Sequence, residues 1–237
     1  MRVGRSAARD AQAAGEEAAR LALGQDKASL LVVFSSDAYD LEQLVRTISE
    51  RSGGAPLIGC STAGEIGASG PEDASVVVTA LGGEGFSIAT ALATSASGRL
   101  RLASAEVAAS VSQVAERPHK VLMLLSDGLS GDQQEVVRGA YSVVGAAVSL
   151  VGGCAGDDLK MKRTYQFHGT QVVTDAVVGA AIGSDSPMGI GVRHGWRRVG
   201  EPMLVTGSAD NRVFTLDDKP ALERIVRPSP GLRSLTH

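Results

Sequence analysis

The feature that most restricts the fold of this chain is an internal repeat. Three short motifs occur twice and in the same order: Ser36-Asp37 and Ser126-Asp127, Ala63-Gly64-Glu65 and Ala155-Gly156-Asp157, and Ala80-Leu81-Gly82 and Ala181-Ile182-Gly183. The two members of a pair are 90, 92 and 101 residues apart, and this separation grows only where the sequence predicts loops. Chance can produce one such match, but three in one order indicate that a single unit was duplicated.

The order of predicted elements supports this duplication. In each half, small apolar residues at helical spacing precede a strand that is apolar throughout, as strands buried on both faces of a sheet are. These are the helix 7–21 and strand 30–34 in the first half, and the helix 100–114 and strand 121–125 in the second. A second helix and several further strands follow each time. The sequence therefore predicts an α/β fold of two α-β-α-β-β-β units, about residues 5–95 and 99–217, with mixed sheets covered by helices.

Two glycine-containing turns are expected to form antiparallel hairpins. Residues 82–85 would join the strands 75–81 and 86–90, and residues 183–187 would join the strands 176–182 and 188–192. In both cases β-branched or apolar residues flank a glycine-rich turn, which is typical of a hairpin.

The overall composition excludes several classes of protein. A net charge of −3 leaves no basic surface for a phosphate backbone, and only 3% of the residues are aromatic, so nucleic acid is not an expected partner. The longest apolar run, residues 176–182, is far shorter than the roughly 20 residues of a membrane span. The N-terminus has no apolar signal segment, and two cysteines give no disulfide framework, so we expect a cytoplasmic protein.

The best candidate site consists of two glycine-rich corners: the first corner, residues 59–65, and the second corner, residues 153–157. Small residues let a ligand approach backbone N–H groups, and Glu65 and Asp157 can accept hydrogen bonds from an amine. Both corners follow a strand end, where open sheets commonly bind ligands. The predicted ligand-binding residues, which include two polar residues that end the preceding strand of the second half, are Gly59, Cys60, Ser61, Thr62, Ala63, Gly64, Glu65, Ser126, Asp127, Gly153, Cys154, Ala155, Gly156 and Asp157.

Each of these residues also has a structural interpretation. The two acids can cap the turns that follow them, and the hydroxyls of Ser61 and Thr62 can bond locally. Ser126-Asp127-Gly128 and Ser35-Ser36-Asp37 are more typical of helix N-caps than of ligand contacts. The two cysteines lack the spacing of a zinc site and are more typical of small buried residues, so neither is expected to be a nucleophile.

Four segments of the chain together resemble a known family. They are Leu31-Val32-Val33-Phe34-Ser35-Ser36, Leu57-Ile58-Gly59-Cys60-Ser61-Thr62-Ala63-Gly64-Glu65, Gly152-Gly153-Cys154-Ala155-Gly156-Asp157-Asp158 and His194-Gly195-Trp196. Over roughly residues 1–220 the chain resembles the N-terminal FIST domain, and the Gly-Cys-Ser-Thr-Ala-Gly-Glu element at residues 59–65 is the most specific part of the resemblance.

The resemblance implies a sensory, non-enzymatic domain of bacterial signal transduction. Such a domain would bind a small ligand, such as an amino acid, and act on a signalling protein such as a histidine kinase, a chemotaxis receptor or a diguanylate cyclase. No catalytic residue and no cofactor are then expected. Because the family usually continues into a C-terminal FIST domain, residues 218–237 are interpreted as a linker or tail leading towards a domain that this sequence does not contain.

Two alternative functions stay open at this point. A subset of the family is similar to haem proteins that sense nitric oxide, and His194, with Gly191 and Gly195 close by in the sequence, is the best candidate axial ligand of a non-covalent haem. The other alternative is a hydrolase that uses Glu65 and Asp157 as a pair of carboxylates.

Overall fold

The structure is a computed structural model and describes residues 1–24, 27–67, 70–114, 116–193, 195, 197–198, 200–209 and 212–226. The chain forms two compact units, Met1–Gly189 and Ile190–His237. Both candidate corners belong to the first unit.

The first unit contains two large sheets. In spatial order, the strands of the six-stranded sheet are β1 (Arg2–Ser6), β6 (Val76–Gly82), β2 (Ala28–Ser36), β3 (Leu57–Thr62), β10 (Gln166–His168) and β11 (Gln171–Val173). Those of the four-stranded sheet are β7 (Phe86–Thr94), β12 (Ala176–Ser184), β8 (His119–Asp127) and β9 (Ser149–Ala155). One neighbouring pair in each sheet is parallel, β2 with β3 and β8 with β9, and the other pairs are antiparallel. A separate hairpin consists of β4 (Glu65–Gly67) and β5 (Gly70–Glu72).

Four α-helices of the described residues cover these sheets. They are α1 (Ala11–Leu23), α2 (Leu41–Arg51), α3 (Leu100–Ala108) and α4 (Gln133–Val144), and 3-10 turns follow at Ala109–Val114 and Gly145–Ala147. Asp10, Asp40 and Asp132 cap α1, α2 and α4, because their carboxylates accept a hydrogen bond from a backbone N–H of the first turn. The N-caps predicted at residues 35–37 and 126–128 are therefore wrong, since the helices begin several residues further along the chain.

Three apolar clusters join four layers in the order helix, sheet, sheet, helix. α1 and α2 pack on the outer face of the six-stranded sheet, where Ala18 and Leu44 lie in one cluster with Leu31. α3 and α4 cover the outer face of the four-stranded sheet. The third cluster lies between the two sheets and includes Val32 and Val178. Both faces of β2 are therefore buried, which explains why residues 30–34 are apolar throughout. Each fully buried leucine or valine stabilises the fold by about 1.5–3 kcal/mol.

The strand order of one sheet is repeated in the other. The order β1-β6-β2-β3 corresponds to β7-β12-β8-β9, and the helix pair α1 and α2 corresponds to α3 and α4. The predicted α/β fold of duplicated units, with mixed sheets covered by helices, is confirmed. Because β7 occupies the place in its sheet that β1 occupies in the other, we propose that the copies divide at residues 83–85 rather than at 95–99. The first copy is then residues 1–82, and the second copy is residues 86–184.

The hairpin predicted across residues 82–85 is wrong. β6 pairs with β1 on one side and with β2 on the other, so it has no free edge for β7. The turn, in which Gly83 and Gly85 have positive φ, instead carries the chain into the four-stranded sheet, where β7 pairs with β12. Residues 188–192 do not form the strand that was predicted for them.

The second unit contains a small antiparallel sheet of β13 (Val205–Ala209), β14 (Arg212–Leu216) and β15 (Lys219–Pro220), followed by α5 (Ala221–Val226). The Asp217 carboxylate accepts a hydrogen bond from the Leu204 N–H at 2.9 Å and pairs with Arg224 at 2.6 Å, and both contacts lower the pKa of Asp217. Part of the predicted linker thus forms β15 and α5, and residues 227–237 lie outside the described residues. Among the described helices, none has the length and the apolar character needed to cross a bilayer.

Candidate functional site

The two glycine-rich corners are in direct contact with each other. The Ser61 hydroxyl donates to the Gly156 carbonyl at 2.6 Å, and the Gly156 N–H donates to the Ser61 carbonyl at 2.9 Å. A Cβ on Gly156 would lie 3.2 Å from the Ala63 nitrogen, which is closer than most Cβ contacts. The small residues of both corners therefore allow the backbones of the two copies to approach each other.

Glu65, the acid of the first corner, is almost fully buried and bonded within its own copy. Its carboxylate accepts from the Thr62 hydroxyl at 2.6 Å, and from both the N–H and the hydroxyl of Ser75 at 3.0 Å. These contacts join the end of β3 to the start of β6.

Asp157, the acid of the second corner, holds the loop that follows it. Its carboxylate accepts from the backbone N–H groups of Met161, Lys162 and Arg163 at 2.9, 2.6 and 3.0 Å. These hydrogen bonds, the one from Lys162 first, lower the pKa of Asp157. We call residues 158–163 the Asp157 loop. Three of its residues, none of them glycine, have positive φ: Asp158 (56°), Leu159 (59°) and Met161 (52°). Both acids thus bond to their own loops, and their role as ligand-binding residues stays a prediction.

The two cysteines lie in different environments. Cys60 is buried between the sheets, and this burial, followed by the nearby Cys154, raises the pKa of its thiol to about 12. Cys154 is exposed on β9, with its sulfur 3.8 Å from the Ser126 hydroxyl oxygen. The prediction of a small buried cysteine is therefore correct for Cys60 and wrong for Cys154.

Ser126 and Asp127 also bond within the chain. The Ser126 hydroxyl donates to the Gln133 side chain at 2.7 Å, and the Asp127 carboxylate accepts from the N–H groups of Leu129 at 2.8 Å and Asp175 at 3.0 Å. These bonds fix the loop between β8 and α4 and connect it to the start of β12.

The remaining glycines of the corners serve different purposes. A Cβ on Gly59 would lie 2.2 Å from the Val33 carbonyl oxygen, so this glycine is needed where β3 approaches β2. Gly64 has a positive φ of 116°, which only glycine adopts easily. A Cβ on Gly153 would meet no atom within 4 Å. Ala155 is buried at the end of β9.

A cavity of about 550 Å³ lies at the ends of β2 and β7, next to the start of α2. No sequence motif predicted this cavity. Residues of both copies line it: from the first copy Asp37, Tyr39, Asp40, Leu41 and Glu42, and from the second copy Thr94, Tyr165, Val172, Val173 and Thr174. It adjoins the first corner, because the backbone N–H of Tyr165 donates to the Ser61 hydroxyl oxygen at 2.9 Å.

The lining of this shared cavity is acidic. Among the described residues, the lining includes Asp37, Asp40 and Glu42 and no lysine or arginine. Lys160 of the Asp157 loop reaches Asp37, and its ammonium group donates to both carboxylate oxygens at 2.6 and 2.7 Å. The hydrogen bond to Asp37 is the main cause of a raised pKa at Lys160. The Asp37 carboxylate therefore already binds one ammonium group, that of Lys160.

Two of the three tyrosines of the chain line the shared cavity. The Tyr39 hydroxyl lies 2.8 Å from the Ala8 carbonyl oxygen and 3.0 Å from that of Ala74, and it can donate to one of them at a time. Burial, followed by the charges of Glu65 and Glu72, raises the pKa of Tyr39, so this hydroxyl keeps its proton. Two tyrosines in a chain so poor in aromatic residues are a sequence signal that could have pointed to the cavity.

The predicted haem ligand His194 lies outside the described residues. His168, on β10, is half-buried with its Nε2 3.1 Å from the Thr90 hydroxyl, and burial lowers its pKa. Within the described part of the chain, no three His, Cys, Asp or Glu residues are grouped so that they could hold a metal ion. Haem binding through His194 stays a prediction.

The chain thus forms a duplicated α/β domain in which both copies contribute to the lining of one cavity. The family model of the FIST N domain matches residues 29–219, and the chain belongs to this family. The family consists of sensory domains of signal transduction and is not known for catalysis, which fits the expectation of a non-enzymatic role. No curated protein matches the chain.

Proposed function

We propose that this domain is a cytoplasmic bacterial sensor that binds a small metabolite with an ammonium group, such as an amino acid, in the shared cavity. The observation that carries this proposal is the acidic, tyrosine-containing lining to which both copies contribute. The site differs from the predicted one. The two corners lie beside it and join the copies, while Asp37 replaces Glu65 and Asp157 as the group that binds the amine.

The size and chemistry of the cavity support a ligand of this class. Its volume of about 550 Å³ falls within the roughly 300–1,000 Å³ that small-molecule sites occupy. A carboxylate at Asp37 attracts a cation, and the rings of Tyr39 and Tyr165 offer cation–π contacts. The hydroxyls of Thr94 and Thr174 can bond to the polar end of an amino acid.

The contact between Lys160 and Asp37 supports a way to pass the signal on. A ligand ammonium at Asp37 competes with Lys160, and the Asp157 loop loses the contact that ties it to the first copy. This loop carries Leu159 and Met161, whose exposed fractions are 84% and 70%. A change in its position would alter the apolar surface offered to a kinase, a chemotaxis receptor or a diguanylate cyclase.

The test is calorimetric titration of the purified protein with the protein amino acids and with simple diamines. We expect one class of amine to bind and Asp37→Asn to weaken its binding by about 10- to 100-fold, because a hydrogen bond to a charged group contributes roughly 1.5–3 kcal/mol. Glu50→Gln, which removes the same charge from the exposed side of α2, should bind like the wild type. Equal affinities of Asp37→Asn and the wild type would refute the assignment.

The two alternative functions have less support. Glu65 and Asp157, the pair expected of a hydrolase, each accept three hydrogen bonds from their own loops. The haem alternative depends on His194, which lies outside the described residues. A Soret band in the purified protein that is lost in His194→Ala would nevertheless give the haem alternative priority.

A further inference from the structure

The two copies differ at one edge of their sheets. In the six-stranded sheet, β3 pairs with β2 on one side and with the antiparallel strand β10 on the other. In the four-stranded sheet, the corresponding strand β9 pairs with β8, and within the described residues no strand covers its other side.

The β9 edge is uncovered because only one of the two equivalent hairpins pairs with the sheet of the other copy. The β10–β11 hairpin lies between β9 and β12 in the sequence of the second copy, yet it pairs with β3 of the first copy. The matching hairpin of the first copy, β4–β5, lies between β3 and β6 and forms a two-stranded sheet of its own. By comparison with β3, an antiparallel strand is expected along the outer edge of β9, but the first unit provides none.

The β9 edge has no protection against pairing with another strand. Exposed edges usually carry charged residues, proline or a bulge that prevents association. β9 reads Ser-Leu-Val-Gly-Gly-Cys-Ala, with no charge and no proline, and Gly152, Gly153 and Cys154 are exposed.

An apolar groove adjoins this edge. A cavity of about 310 Å³ lies between β9 and α4, with Leu150 and Val151 on the strand and Val137 and Tyr141 on the helix. Val137 and Tyr141 remain 45% and 44% exposed. The side chains of a strand added to β9 would cover them.

We infer that β9 pairs with β9 of a second copy of this chain, antiparallel and about a twofold axis, so that the two four-stranded sheets join. An antiparallel pair of identical strands is self-complementary, and a strand without charge does not repel its own copy. The nearest charges on α4, Glu135 and Arg138, form an ion pair with each other at 2.5 Å and leave the groove without net charge. The antiparallel direction is the one in which β10 already covers β3.

The mass of the protein in solution tests this dimer. Light scattering with size exclusion should give twice 24.3 kDa for the wild type and 24.3 kDa for Gly153→Lys, which places a charge on the β9 edge. A Cβ at Gly153 meets no atom within 4 Å, so the substitution should not disturb the fold. Gly189→Lys is the matched control, since Gly189 is equally open and lies outside the sheet, and it should remain dimeric. A monomeric wild type, or a Gly153→Lys variant that stays dimeric, would overturn the inference.

Hydrogen exchange locates the interface independently of mass. Amides of residues 149–155 should exchange more slowly in the wild type than in Gly153→Lys, and the difference should shrink on dilution of the wild type. A dimer in which these amides exchange at the same rate in both proteins would place the contact elsewhere and refute pairing through β9.

Discussion

The two corners occupy equivalent places in the two copies, yet their acids have different tasks. Glu65 bonds to Thr62 and Ser75 and joins two strands of the same sheet. Asp157 bonds to three backbone N–H groups of an exposed loop. The difference shows that a duplicated carboxylate can join two strands in one copy and hold an exposed loop in the other. Mutations should separate the two tasks.

The largest effect is expected at Glu65. Glu65→Ala leaves both donors of the buried Ser75 and the partly buried Thr62 hydroxyl without their acceptor, and the free energy of unfolding should fall by about 3 kcal/mol or more. Urea denaturation measures this change. Glu84→Ala, at an exposed acid of the turn between the two copies, is the control and should stay within about 0.5 kcal/mol of the wild type. A small loss for Glu65→Ala would mean that water replaces the carboxylate and that the first corner is not a structural bond.

A smaller effect is expected at the glycines of the corners. Gly59→Ala places a methyl group 2.2 Å from the Val33 carbonyl oxygen, so the free energy of unfolding should fall by about 1–3 kcal/mol. Gly153→Ala meets open space and should change it by less than about 0.5 kcal/mol. Equal losses at the two positions, measured by urea denaturation, would contradict the difference between the closely packed Gly59 and the open Gly153.

Replacing Asp157 should loosen only the Asp157 loop. Asp157→Asn weakens the bonds to the Asp157 loop, and trypsin should then cut faster after Lys160, Lys162 or Arg163. Glu84→Gln serves as a control for the lost charge. Unchanged cleavage would show that the left-handed residues hold the loop without the carboxylate.

Lowering the pH should remove the contribution of Asp157 to the stability of the protein. Its pKa is lowered in the folded protein, so its stabilising effect is complete above its ordinary pKa of 3.8 and is lost as the pH falls through the lowered value. The free energy difference between the wild type and Asp157→Asn, followed from neutral pH downwards, should therefore stay constant at first and disappear in strong acid. A difference that disappears near neutral pH would point to another titrating group.

The smallest effect on stability is expected for Lys160→Gln, because ion pairs with an exposed partner contribute little. The affinity of the shared cavity for an amine should nevertheless increase, since the ligand no longer competes with Lys160 for Asp37. Calorimetric titration measures this change, and Lys162→Gln is the control two residues away. Weaker amine binding in Lys160→Gln would show that Lys160 takes part in the site and does not oppose the ligand.

The sequence predicted the buried strands better than it predicted the sheet to which each strand belongs. Residues 30–34 and 121–125 were identified as buried strands because their apolar character is continuous, and both are parts of parallel pairs. The hydrophobic pattern does not specify which sheet edge a strand joins. The sequence therefore predicts that β7 pairs with β6, whereas in the structure β7 belongs to the other sheet. β1 was missed because residues 2–6 contain two arginines, a glycine and a serine, and only Val3 is a typical strand residue.

The candidate site was only partly accessible from the sequence. The corners come together, as the repeat suggested, but they touch each other and enclose no space between Ser61 and Gly156. The shared cavity combines Asp37 and Tyr39 with Tyr165, more than 120 residues away in the chain. No local pattern brings such residues together. Their contact depends on β10 crossing to the other sheet.

That crossing of β10 also determines how the protein can be divided. A fragment with only the first copy would lack the strand that covers β3, and a fragment with only the second copy would have a β10–β11 hairpin without its sheet. We expect neither fragment to fold on its own and the two to regain the native structure only when they are mixed. An ancestor with one copy would have needed the β10–β11 hairpin of a second molecule to cover the edge of β3, and a gene fusion would have placed both copies in a single polypeptide.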